Sequence, residues 1–194
     1  MKMTAVEKLF VNRTARGRVL AERAMKLLGR VDYKAGWTYL DVGCGVGFAA
    51  KSIASATDLD VTGVDLDPRQ IEAAKAGASR QNLHFKVMDA TTLDFRDGEF
   101  DIVATSMATH HIPGWERALG EMARVVRPGG YLIYTDLAFP PWLAKIGRRI
   151  LPFVGLPSEP VVNSVAASSG LAPVYEARST LRLHAIWRKP VPAG

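Results

Sequence analysis

Asp41 and the glycines that follow it are the residues whose types and spacing point most directly to chemistry. They lie in the stretch "YLDVGCGVGFAA", Tyr39 to Ala50, where an apolar run leads into Asp41 and then into glycines at every second position. Glycine takes up positive φ without strain and lets a ligand approach the backbone. Such a turn between a strand and a helix is typical of a nucleotide site. The sequence therefore predicts that this turn binds a cofactor.

The charge at this turn argues against a dinucleotide. Gly45, Gly47 and Ala50 satisfy the pattern G-x-G-x-x-[GA], and Asp65 follows at the interval at which an acidic residue would bind a ribose. That pattern alone is weak evidence. The Asp41 carboxylate would lie close to a pyrophosphate and repel it. The same carboxylate suits a ligand that carries an ammonium or sulfonium charge and no phosphate.

Strand and helix patterns alternate around this turn. The strand candidates are residues 37–42, 59–64, 83–88, 100–106 and 130–135. The helix candidates are residues 13–28, with Asn12 as cap and Gly29 as stop, and residues 47–56, 68–77 and 114–126. Alternation of this kind predicts a doubly wound α/β fold, in which helices cover both faces of a mostly parallel sheet. Ligands in such folds bind at the carboxyl ends of the strands.

The rhythm changes after the fifth strand. "RPGG", residues 127–130, ends one helix and turns into that strand, and a short helix at 160–169 then precedes two further strand candidates. These candidates, at 173–178 and 181–188, are separated by little more than a turn, which predicts a hairpin and an antiparallel edge. The expected sheet therefore has seven strands and is parallel except for its last strand.

Five ordered blocks of the sequence resemble a known family. The blocks are "LDVGCGVG" (40–47), "VTGVDLDP" (61–68), "MDATTLDF" (88–95), "FDIVATSMATHHI" (100–112) and "ARVVRPGGYLIYTD" (123–136). They resemble the class I S-adenosylmethionine-dependent methyltransferases, and within these the small-molecule, methyltransferase type 11-like branch. The resemblance implies a single Rossmann-like domain over 1–194. Its parts would be a basic helical segment (1–36), a cofactor-binding core (37–136), a lid-like insertion (137–159) and a final helix with hairpin (160–189).

The resemblance also implies S-adenosylmethionine as cofactor and assigns residues to its methionine part. Gly43, Gly45 and Gly47 would line that part, with Asp41 near the amino group, directly or through water. The backbone around Thr105 and Ser106 would close the site.

The adenosine part would be bound by residues at the ends of the second and third strands. The resemblance places Asp65 on the two ribose hydroxyls and Leu66 against the adenine, with Asp89 accepting from the adenine amino group and the Ala90 N–H facing a ring nitrogen. Other roles stay open for both carboxylates. Asp65 could cap the next turn, and Asp89 could bond to Thr91 or its neighbour in an Asx-turn.

His110 and His111 are the candidates for a general base, which is needed only if the acceptor atom starts protonated. Consecutive side chains point in different directions, so at most one is expected to face the pocket. The alternative is a structural role in which a histidine bonds to nearby loop backbone. No metal site is expected, because no carboxylate at ligand spacing joins the two histidines and Cys44 is the single cysteine.

The acceptor is expected to contact residues 137–158 and the N-terminal helix. The first of these segments is rich in large apolar residues and contains Lys145, Arg148 and Arg149. It could form a lid over an apolar substrate, an interfacial helix on a membrane surface, or ordinary core. The chain has no "NPPY"-like motif of the kind used on adenine or glutamine amides. A lipid- or quinone-like small molecule is therefore the expected acceptor, although a polar metabolite fits the same frame.

The composition fits an ordinary cytoplasmic globular protein, with 194 residues, 48% of them hydrophobic and one cysteine. The formal net charge is +6, and all of the excess lies in residues 1–40. This asymmetry leaves open an RNA methyltransferase that uses the basic arm on phosphates, although no RNA-binding module or basic-aromatic stripe is present. The sequence is also compatible with an NAD-binding oxidoreductase and with a binding protein that has lost catalysis. The oligomeric state is not predicted.

Overall fold

A computed structural model describes residues 5–150, 155–179 and 181–192. Its helices are α1 (Ala5–Leu28), α2 (Phe48–Ala56), α3 (Pro68–Lys75), α4 (Trp115–Val125), α5 (Pro141–Ile150) and α6 (Glu159–Ser168), with a 3-10 turn at Thr109–His111. Its strands are β1 (Thr38–Val42), β2 (Asp60–Asp65), β3 (Leu83–Val87), β4 (Phe100–Ser106), β5 (Val126–Leu137), β6 (Ala172–Ser179) and β7 (Arg182–Arg188). The predicted alternation of strands and helices is confirmed.

The seven strands form one sheet in the order β3-β2-β1-β4-β5-β7-β6. Only β7 runs antiparallel to its neighbours, as predicted, because β6 and β7 form a hairpin. The expected antiparallel edge is also confirmed, because the edge strand β6 pairs antiparallel with β7. What the sequence did not predict is that β7 is inserted between β5 and β6. The physical reason is that β7 supplies Leu183, Ala185, Ile186 and Trp187 to the core, whereas most of β6 is exposed.

Helices cover both faces of the sheet. One face packs against α4 and α6, where Leu119, Met122 and Val162 are fully buried. The other face packs against α1, α2 and α3, through residues such as Leu28 and Ile53. The doubly wound α/β class predicted from the sequence is therefore confirmed. None of the described helices is long and apolar enough to cross a membrane.

Two predicted boundaries were wrong for identifiable reasons. Helix α1 already begins at Ala5, so Asn12 lies inside the helix and does not cap it, whereas the helix ends before Gly29 as expected. Strand β5 begins at Val126 and includes the residues interpreted as a turn, "RPGG". These extra residues are accommodated by an irregularity in the β4–β5 pairing, which lies between Phe100 and Ile102.

Helix α1 is held against α2 by a close approach at a glycine. An ideal Cβ built on Gly17 would lie 2.3 Å from the Phe48 ring, closer than real atoms approach. Gly120, in α4, has no heavy atom within 4 Å of its ideal Cβ. The two glycines therefore share a helical backbone but differ in the space around them.

This contrast gives a matched test of how α1 docks. Replacing glycine with alanine inside a helix ordinarily adds about 1 kcal/mol of stability. We expect Gly120→Ala to raise the free energy of unfolding, and Gly17→Ala to lower it because the new methyl group collides with Phe48. Urea unfolding of both variants measures this, and equal stabilisation by both would contradict the close packing of α1 on α2.

Candidate functional site

Two adjoining clefts open at the carboxyl ends of β1, β2 and β4. The larger cleft encloses about 620 Å³ and is lined by residues that follow β1, β2, β3 and β4. The smaller cleft encloses about 330 Å³ and is lined by the glycine turn, α1 and the end of β4. Gly43, Gly45, Gln70 and Met107 belong to both walls. The clefts therefore meet at the glycine turn that the sequence singled out.

Each glycine of the turn has positive φ, but each serves a different purpose. A Cβ on Gly43 would lie 2.4 Å from the Ala108 Cβ, so glycine lets the loop after β4 approach. A Cβ on Gly45 would meet only the Gln70 Oε1, at 3.8 Å, and would project into cleft space. Gly47 lines neither cleft. It precedes α2 and packs against the Phe85 ring, 2.7 Å from its ideal Cβ.

Asp41 is buried in the wall of the smaller cleft, with 3% of its surface exposed. Its Oδ2 has no hydrogen-bond partner among the described residues, and neither has the buried Ser106 Oγ in the same wall. Burial raises the pKa of the Asp41 carboxyl to about 7; the Ala50 N–H opposes this, and the Asp65 carboxylate adds to it. A cationic group in the smaller cleft would relieve the cost of ionising this carboxyl.

Asp65 is held rigidly at the end of β2. Its Oδ2 accepts from the Gly45 N–H at 2.8 Å, and its Oδ1 accepts from the Asp67 N–H at 3.0 Å. The carboxylate thus ties the glycine turn to the start of α3, and it also lines the larger cleft. Leu66 beside it is 66% exposed, a large apolar side chain on the same wall.

Asp89 and Ala90 also line the larger cleft. The Oδ1 of Asp89 accepts from the Thr91 N–H and from the Thr91 Oγ1, both at 2.8 Å, so the Asx-turn considered from the sequence is present. A carboxylate has several lone pairs on two oxygens and can accept further hydrogen bonds. The turn therefore positions Asp89 without excluding a ligand contact.

Thr105 lies outside the two clefts, unlike its neighbour Ser106. Its side chain is buried, and its Oγ1 donates to the Val42 carbonyl at 3.0 Å. This bond joins β1 to β4 directly beneath the glycine turn. The side chain therefore supports the site from below.

His110 is bound to a carboxylate that was not predicted from the sequence. Its Nδ1 lies 2.5 Å from the Oδ1 of Asp136, which is fully buried at the end of β5. The other oxygen of Asp136 accepts from the Thr109 N–H at 2.6 Å and from the Thr109 Oγ1 at 2.5 Å. The Leu137 N–H donates to Oδ1 at 2.7 Å. The signal available in the sequence was an acidic residue ending an apolar strand, as at Asp41 and Asp65.

His111 is exposed and lines the larger cleft, whereas His110 lines neither cleft, so one of the two histidines faces a pocket, as expected. The two rings lie against each other, with their centroids 3.9 Å apart. Burial and the nearby His110 lower the pKa of His111, while Asp136 opposes the shift. The alternative role considered from the sequence was a histidine bonded to loop backbone. The His110 ring instead bonds to the Asp136 carboxylate.

Met107 and Gln70 were also not predicted, although both line the two clefts. Met107 has φ of 56°, the one positive value at a non-glycine residue in the described part of the chain. Residues held in this region are strained and cluster at functional sites. Its position between two glycine-lined clefts is visible only in the folded chain.

Comparison with known proteins places this site in a family. A model described as "Methyltransferase domain" matches residues 40–134. The 27-O-demethylrifamycin SV methyltransferase of Amycolatopsis mediterranei is 35% identical over 120 residues, which cover 60% of this chain and 44% of that protein. The 2-methyl-6-phytyl-1,4-hydroquinone methyltransferase of Synechocystis is 38% identical over 116 residues, covering 59% and 35%. The chain thus spans less than half the length of these relatives.

A solved structure supports the same assignment at the level of the fold. The structure of a geranyl diphosphate methyltransferase in complex with SAM superposes with a TM-score of 0.75, over 89% of this chain and 86% of that one, at 15% identity. This chain belongs to the class I S-adenosylmethionine-dependent methyltransferases. The resemblance seen in the sequence is therefore confirmed.

The clefts of this methyltransferase fit S-adenosylmethionine, the cofactor of its family. The cofactor carries an ammonium and a sulfonium, and the smaller cleft contains a buried carboxyl whose Oδ2 lacks a partner among the described residues. It also carries a nucleoside, and the larger cleft combines three carboxylates, those of Asp65, Asp67 and Asp89, with the exposed Leu66. Of the residues predicted to bind it, Gly47 and the side chain of Thr105 lie outside the cleft walls. The other eight line one cleft or both.

The buried Asp41 of this methyltransferase predicts a pH dependence of folding. Its pKa is about 7 in the folded chain and 3.8 ordinarily, so the folded state keeps a proton that the unfolded state loses between these values. Stability from this group is therefore greatest below pH 4 and falls as the pH rises to 7, by up to about 4 kcal/mol.

Urea unfolding of the wild type and of Asp41→Asn between pH 4 and pH 8 measures this effect. We expect the stability of the wild type relative to Asp41→Asn to fall across this range. Asp58→Asn, which changes an exposed aspartate before β2, serves as control and should follow the wild type. A difference between wild type and Asp41→Asn that does not vary with pH would contradict the buried titration.

Proposed function

We propose that this methyltransferase transfers a methyl group from S-adenosylmethionine to an apolar, lipid- or quinone-like acceptor. The observation that carries the cofactor half of this proposal is the buried Asp41 carboxyl beside a glycine turn, whose Oδ2 has no partner in the described part of the chain. A phosphate would be repelled there, and a cationic amino acid moiety would be held. Relatives named for a phytyl hydroquinone and for a sterol support an apolar acceptor.

The cofactor-binding roles follow the two clefts. In the smaller cleft, Asp41 would accept from the amino group of the cofactor, while Gly43, Gly45 and the Ser106 backbone would surround its methionine part. Gly47 would act through packing, since its ideal Cβ meets the Phe85 ring.

The larger cleft would take the adenosine part. Asp65, which already holds the glycine turn, would accept from the ribose hydroxyls, and Leu66 would pack on the adenine. Asp89 would accept from the adenine amino group and the Ala90 N–H would donate to the ring. Thr105 would support both clefts by joining β1 to β4.

Cofactor choice can be tested by thermal unfolding with S-adenosylmethionine, S-adenosylhomocysteine and NAD. At about 100 times its Kd, a specific ligand stabilises the folded state by about 2.7 kcal/mol. For a chain of this size that is a rise in Tm of several degrees, at roughly 2–4 °C per kcal/mol. We expect both sulfur compounds to raise Tm and NAD to have no effect.

The same experiment on variants assigns the effect to Asp41. We expect Asp41→Asn to lose most of the rise in Tm, because the amide cannot pair with the ammonium charge, and Asp58→Asn to keep it. A rise with NAD alone would instead mean that the glycine turn holds a pyrophosphate, and would favour an oxidoreductase.

Bound S-adenosylmethionine supplies a methyl group already activated by the sulfonium, so the protein needs only to align the acceptor and, where that acceptor is protonated, to remove a proton. His110 is the residue we propose for the proton. Asp136 bonds to Nδ1 at 2.5 Å and keeps that nitrogen as the donor, so Nε2 is left as the basic atom. Thr109 and Leu137 fix Asp136 in turn.

This role predicts a large loss of activity when the ring is removed. With a hydroquinone acceptor, whose hydroxyl must lose a proton, we expect His110→Ala to lower kcat by about 10²–10⁴-fold. His111→Ala is the matched control and should change kcat much less. The measurement is the rate of release of S-adenosylhomocysteine from each variant. Equal losses in the two variants would contradict the assignment to His110.

The acceptor half of the proposal rests on α5 and on the chain at Gly155. The helix packs on the body through small residues: Ala144 is buried, and an ideal Cβ on Gly147 would lie 2.3 Å from Leu156. The chain at Gly155 lies close to the turn that carries His110, since an ideal Cβ on Gly155 would collide with the Thr109 carbonyl. The segment is therefore anchored next to the proposed base.

The large apolar side chains of α5 face away from the core. Trp142 is 65% exposed, Ile146 50% and Ile150 70%, and Leu143 is also exposed. Ordinary core packing, one of the three roles considered for this segment, does not describe these side chains. We propose that α5 is a lid-like apolar surface for the acceptor. Contact with a membrane through the same face is the remaining alternative, and Lys145 on the helix is compatible with it.

A further inference from the structure

A third cavity lies between α1 and the β6–β7 hairpin, away from the two clefts. It encloses about 190 Å³ and is lined by Arg23, Lys26, Leu27, Arg30, Tyr175 and His184. We name it the basic cavity. Three of the cations responsible for the excess positive charge of residues 1–40 gather here. The proposed methyl transfer gives this cluster no role.

The cations of the basic cavity have no acidic partner in the part of the chain that the structure describes. No carboxylate there forms an ion pair with Arg23, Lys26 or Arg30. The Arg30 guanidinium lies 4.0 Å above the centre of the Tyr175 ring. Burial lowers the pKa of His184, and Arg23 and Arg182 lower it further. The positive charges of the cavity are therefore not paired with any carboxylate of the described residues.

A row of polar side chains connects this cavity to the smaller cleft. Ser106, Thr135 and His184 are paired across β4, β5 and β7, so they lie side by side on one face of the sheet. Ser106 lines the smaller cleft, and the Thr135 Oγ1 lies 3.1 Å from the His184 Nδ1. Two steps between neighbouring strands place the Cα atoms of Ser106 and His184 about 10 Å apart.

Helix α1 gives the same distance independently. Gly17 and Leu20 line the smaller cleft, and Arg23 lines the basic cavity. Arg23 follows Gly17 by about six residues of α-helix, a rise of about 9 Å. The two estimates therefore agree that the basic cavity lies about 10 Å from the smaller cleft.

We propose that the basic cavity binds an anionic group, a phosphate or a carboxylate, at the end of the methyl acceptor remote from the methylated atom. This inference rests on the proposed methyl transfer and narrows its acceptor from an apolar molecule to an anionic amphiphile. Arginine suits this role because its planar guanidinium donates two parallel hydrogen bonds to a phosphate or carboxylate. Tyr175 and His184 add polar atoms to the same wall.

The test compares three probes on the full chain saturated with S-adenosylhomocysteine, at constant ionic strength. The probes are octyl phosphate, octanol and inorganic phosphate, and binding is measured by titration calorimetry. We expect octyl phosphate to bind most tightly, because it alone offers both a chain and an anion. We expect Arg23→Gln to weaken octyl phosphate about ten-fold or more and to leave octanol unchanged.

Arg18→Gln is the matched control, since Arg18 is an exposed residue of α1 that does not line the cavity. It removes the same charge from the same helix and should leave octyl phosphate binding unchanged. Equal losses in Arg18→Gln and Arg23→Gln would mean a diffuse basic surface and overturn the proposal. Equal binding of octanol and octyl phosphate would overturn it as well.

The source of the anion is decided by inorganic phosphate. If inorganic phosphate binds as tightly as octyl phosphate, the cavity binds a free ion. The anion would then not be part of the methyl acceptor, which overturns the proposal. Binding of S-adenosylhomocysteine itself, measured first, separates the two hypotheses. If S-adenosylhomocysteine does not bind, the proposed cofactor is contradicted. If it binds but the three probes bind equally well, only the proposed role of the basic cavity is contradicted.

Discussion

Burial of one carboxyl near the carboxyl end of β1 is the constraint around which this site is built. Asp41 has almost no exposed surface, and its Oδ2 lacks a partner among the described residues, which makes the ionised form costly in the folded chain. The glycine turn leaves space above it, because Gly45 has only Gln70 Oε1 near its ideal Cβ. The buried carboxyl thus costs folding stability at neutral pH, and under the proposed function a bound positive charge would offset that cost.

An aspartate also lies at the end of two other strands of the sheet, and there its carboxylate is hydrogen-bonded. Asp65 at the end of β2 bonds to the glycine turn, and Asp136 at the end of β5 bonds to His110. Parallel strands bring their carboxyl ends to one edge, so acidic residues far apart in sequence come to lie along the same edge of the sheet. Both carboxylates accept from backbone N–H groups, which lets each of them position a second group. Rigid support of this kind is what precise binding needs.

The family model matches only the middle of the chain, and the segments before and after it are not matched. The family model covers residues 40–134, the part that forms most of the cofactor clefts. Helix α1 lies before that range, and α5 and the β6–β7 hairpin lie after it. The proposed acceptor surfaces, an exposed apolar helix and a cavity lined by cations, are both built from these outer elements. One domain would therefore combine a cofactor site shared with the family and an acceptor site built from elements outside the matched residues.

The sequence by itself determined the alternation of strands and helices, the glycine turn and the acidic residues at strand ends, because these depend on local periodicity and on residues close together in the chain. Only the tertiary structure decided the insertion of β7 beside β5, the pairing of His110 with Asp136, and the meeting of Arg23 with His184. These are contacts between distant segments. Local patterns carry no information about which strand edge a hairpin will join, or which charges will then face each other.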